Sequence, residues 1–314
     1  MTRKLVSLFL SLALLCAFVP AMAEGGITVT DMAGREIALD APADRIVVLM
    51  PADAEILYAL GASETIVGVG SDCTAEAEAA VMPGIEQQPV MNPGYVVNVE
   101  EILALQPQLV ILTKMGYSED LVNSLSAGKV QVAVTDAQDL EGVYADITLI
   151  GALTGKTAEA EELIASMKQK FEEIAAKAVD TGKTLYVDES PLEWGLWSAG
   201  KGTYIDDIAA ICGLTNIFAD IEGHQSVSEE DVLNRNPDII LTMTMYYGYG
   251  PLPDEEIKSR TGWENVNAVK NGAVIYDPTN AVALPGPRLV EVAEMLLNLT
   301  IPAETLMEQA APAA

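Results

Sequence analysis

Residues 45–71, RIVVLMPADAEILYALGASETIVGVGS, decide the fold. Two short β-branched runs, RIVVL and TIVGV, flank the mixed polar and apolar stretch ADAEILYALGAS. Pro51 and Asp53 stand where a helix starts, and Gly61 stands where one ends. Short apolar runs bounded by turn residues are what strands buried in a parallel sheet look like. The economical reading is strand, helix, strand: a βαβ unit.

The same alternation continues outward. Asn98 opens the helical stretch VEEILALQ, Pro107 stops it, and LVILT at 109–113 is the next strand. A helix from Ser118 and the strand VQVAVT complete a first lobe, expected over residues 24–139. From about 140 to 180 the strand signal vanishes, and Ala160, Leu163, Ile164, Met167, Phe171 and Ile174 recur at helical spacing. A helix over 157–178 would run roughly 30 Å at about 1.5 Å per residue, enough to cross from one lobe to another. Alternation resumes with TLYVDES, a helix over 203–212, NPDIILTMT, AVIYDP and a closing helix over 287–299, giving a second lobe over 181–314.

The halves also repeat in sequence. NVEEILALQPQLVIL and SVSEEDVLNRNPDIIL align so that Glu100 and Glu230 each lie seven residues before a proline. Asn98 and Ser228 occupy N-cap positions, and Glu101 and Asp231 stand where an acid reaches back to the cap. Capping and the helix dipole account for Glu101 and Asp231. They leave the matched pair Glu100 and Glu230 without a task.

The first residues, MTRKLVSLFLSLALLCAFVPAMA, place Arg3 and Lys4 before an apolar run that closes on Ala21-Met22-Ala23, which reads as a secretory leader over 1–23. Cys16 follows Ala13-Leu14-Leu15 rather than small residues, so a soluble exported form is expected, periplasmic or at the outer cell surface. The chain carries 17 Lys and Arg against 46 Asp and Glu, net −29. With Arg3 and Lys4 removed, 15 basic face 46 acidic side chains, net −31. That field repels nucleic acid and anionic membranes and keeps a monomer in solution. Cys73 and Cys212 fall in different lobes and are expected to be free, buried thiols.

Enzyme chemistry finds little to use. His224 is the single histidine, so any Ser-His or Cys-His arrangement rests on it, and imidazole clusters for zinc are excluded. WSAGKG at 197–202 lacks P-loop spacing. No intrinsic cofactor is expected. The loops after the strands instead collect large semi-polar side chains: Met91, Asn92 and Tyr95; Lys114, Met115 and Tyr117; Trp194, Trp197, Lys201 and Tyr204; His224; Met245, Tyr246, Tyr247 and Tyr249. With only 17 aromatic residues in the chain (3 Trp, 10 Tyr, 4 Phe), this concentration marks a ligand crevice beyond the carboxyl ends of the strands.

DMAGREIAL, APADRIVVLMPADAEILYALGA, NVEEILALQPQLVIL, LWSAGKGTYIDDIAAICGLTNIF, VSEEDVLNRNPDII, GWENVNAVKNGAVI and GPRLVEVAEML together resemble the substrate-binding proteins of ABC importers for ferric siderophores, cobalamin and haem. The resemblance runs from about residue 27 to 299. It implies an α/β fold of two Rossmann-like lobes with parallel central sheets, joined by one long helix, with the ligand between them and modest closure. It also implies that Glu100 and Glu230 dock on a membrane permease that works with a cytoplasmic ATPase. Similarity to the cobalamin binders is closest around 196–218, while His224 replaces a ligand-facing aromatic residue. This raises haem, with His224, Met91, Tyr246 or Tyr247 as the iron ligand. Expected ligand contacts are Met91, Tyr95, Lys114, Trp194, Trp197, Lys201, His224, Tyr246, Tyr247 and Arg288. Only Lys114, Lys201, Arg260 and Arg288 are cations placeable near the crevice, so a corrinoid or a neutral or cationic ferric hydroxamate suits it better than haem or a catecholate. An exported redox enzyme on the same frame, using His224 for a metal, is the competing reading, and a scaffold without a small ligand is a third.

Overall fold

A computed structural model describes residues 26–92, 96–243 and 250–300. The leader segment and residues 301–314 lie outside the described residues. The chain begins with an antiparallel hairpin, β1 (Ile27–Thr30) and β2 (Glu36–Leu39), which the sequence reading did not single out. Then follow β3 (Ile46–Val48), α1 (Pro51–Ala59), β4 (Ile66–Val69), α2 (Glu76–Val81), α3 (Val99–Ala104), β5 (Leu109–Thr113), α4 (Glu119–Ala127) and β6 (Gln131–Thr135). Two consecutive helices, α5 (Leu140–Leu153) and α6 (Thr157–Lys177), lead to the second half. It comprises β7 (Thr184–Asp188), β8 (Trp197–Ala199), α7 (Tyr204–Ile211), β9 (Thr215–Asn216), β10 (His224–Ser226), α8 (Glu229–Arg235), β11 (Ile239–Met243), α9 (Pro253–Ser259), α10 (Asn267–Lys270), β12 (Val274–Asp277) and α11 (Leu289–Thr300).

Each half builds a four-stranded, wholly parallel sheet, in the order β4-β3-β5-β6 and β12-β11-β7-β9. The fold is therefore α/β in two lobes. The repeat extends to backbone detail. Gln106 and Asn236, each immediately before a proline, both adopt left-handed conformations (φ 52° and 46°) that end α3 and α8. Asn98 accepts from the Glu101 amide at 3.2 Å and Ser228 from the Asp231 amide at 3.0 Å, so the two caps match as well.

The long helix of the connecting segment is α6; α5 precedes it, and Gly155 turns the chain between the two at φ +70°. Gly151 lets α6 approach: a Cβ there would lie 2.6 Å from that of Ala160. The buried face of α6 is Ala160, Met167, Phe171 and Ile174, packed on α5 and on α11. Burying each of the larger side chains stabilises by about 1.5–3 kcal/mol. Strand residues of both sheets, Ile46 and Ile111 on one side and Leu185 and Leu241 on the other, belong to the same apolar cluster as this helix face. The lobes are also tied by polar contacts: the Tyr204 amide donates to the Gln138 carbonyl at 2.8 Å, the Leu140 amide to Asp207 at 3.1 Å, and Asn280 Nδ2 to Glu78 at 3.0 Å. So extensive a shared core favours a nearly rigid pair of lobes over a hinged one. Cys73 and Cys212 are buried, free thiols.

Candidate functional site

The strand ends of both sheets open onto one cavity of about 410 Å³. On the first lobe its wall comes from Met50 after β3, Ala52 and Asp53 in the first turn of α1, Thr113 to Met115 at the end of β5, Thr135 to Gln138 at the end of β6, and Asp146 of α5. On the second lobe it comes from Glu189 after β7, Tyr204 at the start of α7, His224, Met243 at the end of β11, and Ala283 to Pro285. This is the crevice that open parallel sheets leave beyond their carboxyl ends.

The wall of the first lobe is acidic. Asp53 is 2% exposed and accepts a hydrogen bond from Thr135 Oγ1 at 3.1 Å. Burial pushes its pKa up to about 7 against that bond. Asp146 is 3% exposed, and burial, reinforced by the charge of Asp53, pushes it to about 8. Its Oδ1 is buried without a hydrogen-bond partner, as is Oγ1 of Thr113. Lys114 answers part of this charge through an ion pair with Asp136 at 2.7 Å.

Across the cavity, β8 and β10 form a short antiparallel ribbon in which His224 faces Ala199 and Ser226 faces Trp197. Alternation along the strands puts Trp197 on the same face of the ribbon as His224. Nδ1 of His224 is 2.8 Å from Glu189 Oε1, and this bond, against the cost of burial, raises the imidazole pKa above its usual 6.5. The ring lies 6.3 Å from that of Tyr204, whose hydroxyl donates to the Val282 carbonyl at 3.2 Å.

Of the residues expected to contact a ligand, Lys114 and His224 line the cavity. Trp197 stands on the ribbon beside it, 45% exposed, and Trp194 is 62% exposed. Lys201 is exposed, its backbone bonded to the Ile221–Gly223 stretch, and is not in the cavity wall. Met91 is displaced from the expected place: it is 3% exposed in the core of the first lobe, where a Cβ on Gly68 would lie 3.0 Å from its Cγ. That also removes Met91 as an iron ligand. Arg288 is diverted too, because Glu55 of the other lobe takes its guanidinium and the Thr279 carbonyl takes Nη1 at 2.8 Å. Arg260 is buried against Asp188 at 2.7 Å and against Glu256, over the ring of Trp263. Tyr95, Tyr246 and Tyr247 lie outside the described residues. Among the described residues no group of three or more His, Cys, Asp or Glu is placed to hold a bare metal ion. Glu100 and Glu230 are both exposed at the second helical position after their caps.

The acids of the wall were missed. Asp136 and Glu189 directly follow strands, and Asp53 opens the helix after one, the places where ligand contacts concentrate, so a signal existed. Asp146 had another: it is the one acid in the buried stripe Val143, Asp146, Ile147, Ile150 of α5.

Comparison with known proteins agrees with this architecture. Residues 46–281, more than half of the chain, match the family described as periplasmic binding protein. An uncharacterised ABC transporter substrate-binding lipoprotein of Bacillus subtilis is 31% identical, covering 88% of this chain and 86% of its own. A cobalamin-binding protein of Halobacterium salinarum is 27% identical over 87% of this chain and 73% of its own. The molybdate-binding protein of Haemophilus influenzae is 26% identical over 86% and 83%. Among solved structures, an ABC-type Fe3+-hydroxamate transport protein of Saccharomonospora viridis superposes with a TM-score of 0.70 at 25% identity, covering 88% of this chain and 99% of its own. With two parallel-sheet lobes lining one cavity and a family match spanning both, the chain belongs to the periplasmic binding protein family, the substrate-binding proteins of ABC importers.

Proposed function

We propose that this protein captures a metal chelate of neutral or positive charge, a corrinoid or a ferric hydroxamate, outside the cytoplasm and hands it to the permease of an ABC importer. The observation that carries the reading is the make-up of the cavity wall: four acids, Asp53, Asp136, Asp146 and Glu189, against Lys114 and His224, which are already paired with Asp136 and Glu189. Burial raises the pKa of Asp53 to about 7 and that of Asp146 to about 8, so a bound cation would draw them into the ionised form and an anion would not. A multiply charged oxyanion in such a cavity would be desolvated beside carboxylates, with one lysine already committed to Asp136. This argues against molybdate as cargo despite the relative that binds it. Met50, Met115, Tyr204 and Met243 supply the apolar contact area that a broad chelate needs. Binding is reversible, without turnover. Glu100 and Glu230 are the permease contacts in this reading, one on each lobe. No helix among the described residues is long and apolar enough to cross a membrane.

The second reading is haem. It is favoured by the Glu189–His224 pair, which fixes the imidazole through Nδ1 and leaves Nε2 as the nitrogen able to bind iron. The acidic wall opposes it, since haem brings two carboxylates.

Tryptophan fluorescence separates these outcomes. Trp263 is fully buried and gives a constant background, whereas Trp197 shares a ribbon face with His224. Titration with cobalamin, ferric hydroxamates and haem should give saturable quenching by a member of the first two classes, largely lost in Trp197→Phe. Saturation by haem alone, with a Soret shift abolished by His224→Ala, would select the second reading. Silence across the panel, confirmed by calorimetry, would remove both.

A further inference from the structure

We propose that the floor of the cavity, Asp53 and Asp146 with the hydroxyl of Thr113, is a subsite for an N–H-donating arm of the chelate, a primary amide or an alkylammonium. The inference rests on the cargo reading above and adds a recognition element to it.

Two carboxyl groups, each at least 97% buried by the exposures above, face one cavity from different elements: Asp53 from the first turn of α1 and Asp146 from α5. Buried acids ordinarily meet a cation or a full set of donors. Glu55, Asp188 and Asp31 do so elsewhere in the chain, through Arg288, Arg260 and Arg35. Among the described residues Asp53 accepts a side-chain bond from the Thr135 hydroxyl alone, and Asp146 takes backbone N–H bonds from Asp136 and Ala137 while its Oδ1 has no partner. Lys114, the one lysine in the wall, is bound to Asp136. Thr113 Oγ1, at the end of the central strand β5, is a second unpartnered oxygen in the same wall. Two oxygens of this wall, Asp146 Oδ1 and Thr113 Oγ1, are thus left without a partner beside a second buried acid, and a group that carries several N–H bonds fits them.

A primary amide brings two such bonds and an ammonium three. Each would satisfy an oxygen that the fold leaves bare, and an ammonium would also favour the ionised form of the pair, which burial alone disfavours. An oxyanion brings acceptors only: it can take the Thr113 hydroxyl or the proton of a protonated acid as a donor, but it satisfies no ionised carboxylate oxygen of the pair. The subsite therefore selects by hydrogen-bond polarity as well as by charge.

The test is calorimetry on the exported form with four probes: cobalamin, whose periphery carries primary amides; a linear ferric trihydroxamate ending in an ammonium; the same chelate with that amine acetylated; and molybdate. The variants are Asp146→Leu, Asp146→Asn and Thr113→Val. Thr113→Val leaves both acids in place and reports on the subsite should an Asp146 variant fail to fold. The expected result is that cobalamin or the ammonium chelate binds, and that Asp146→Leu weakens it about 10- to 100-fold, the worth of a hydrogen bond to a charged group. Asp146→Asn should fall between, Thr113→Val should cost several-fold, and molybdate should not bind. Cobalamin binding alone would assign the amide as the source. Ammonium-chelate binding lost on acetylation would assign the amine. Unchanged affinity in both Asp146→Leu and Thr113→Val, or molybdate binding tighter than either chelate, would overturn the subsite while leaving a binding protein. Absence of saturable binding by every probe would remove the cargo reading itself.

Discussion

Nδ1 of His224 stands 2.8 Å from Oε1 of Glu189, a contact between residues 35 positions apart that brings the ribbon strand β10 to the end of β7. The carboxylate favours the protonated ring, so the folded pKa lies above the usual 6.5. For a group raised in this way, the stabilisation is complete below the unfolded pKa and is lost as pH rises through the folded one. His224 is the only histidine, so a single imidazole resonance reports the titration. That resonance should titrate above 6.5 in the native protein and move down in Glu189→Gln. Glu189→Gln should also cost more stability at pH 6 than at pH 9. A resonance with the same midpoint in both proteins would show that the pair does not govern the ring.

Glu55 and Arg288 form the corresponding contact between lobes, from α1 to the turn before α11. Glu55 is 6% exposed, and its pKa is raised by burial against the opposing pull of the guanidinium. Removing one member of a buried pair leaves the other charged and unmatched, which costs about 3–5 kcal/mol. Arg288→Ala should therefore lower the urea midpoint strongly, and Arg288→Lys should recover only part, since ammonium does not reproduce the two-pronged contact. Adding Glu55→Gln to Arg288→Ala should restore much of the loss. Ligand affinity should change little in the double variant, because neither side chain lines the cavity. A large loss of affinity at unchanged stability would instead return Arg288 to the ligand.

What could be read in the sequence follows from how far each cause reaches. The parallel strands and the helices between them rest on local periodicity and caps, and RIVVL, LVILT and VQVAV became β3, β5 and β6. The face of α6 was legible for the same reason: Met167, Phe171 and Ile174 are one stripe. The β8–β10 ribbon was not, because three-residue strands separated by more than twenty positions carry no local pattern. The misplaced contacts have a similar origin. A methionine after a strand reads as a crevice residue, but Met91 turns inward because Gly68 has no side chain to block it. An arginine beside a helix reads as a ligand contact, but its partner lies 233 positions away. The acids of the wall are the reverse case, since Asp53 was noticed only as a helix-start signal, and a capping explanation hid its place in the cavity.

Glu100 and Glu230 remain after local structure has been accounted for. Both sit at the second helical position, with the cap bond going to the next residue in each case, Glu101 and Asp231. On α8 the preceding Glu229 is occupied by Trp263 Nε1 at 2.7 Å, so the tryptophan selects Glu229 and leaves Glu230 facing solvent. An acid in a first helical turn is worth about 0.3–1 kcal/mol through the dipole, and exposed substitutions of this kind rarely cost more. The double variant Glu100→Ala, Glu230→Ala should therefore melt close to the native protein and bind its chelate with unchanged affinity. In proteoliposomes carrying the cognate permease and ATPase it should lose most of its uptake, and each single variant should lose less. Rates should also fall with added salt in the native protein but not in the double variant, because charge steering across an interface is screened within about 10 Å at 0.1 M. Uptake at the native rate by the double variant would assign both acids to the helix termini alone.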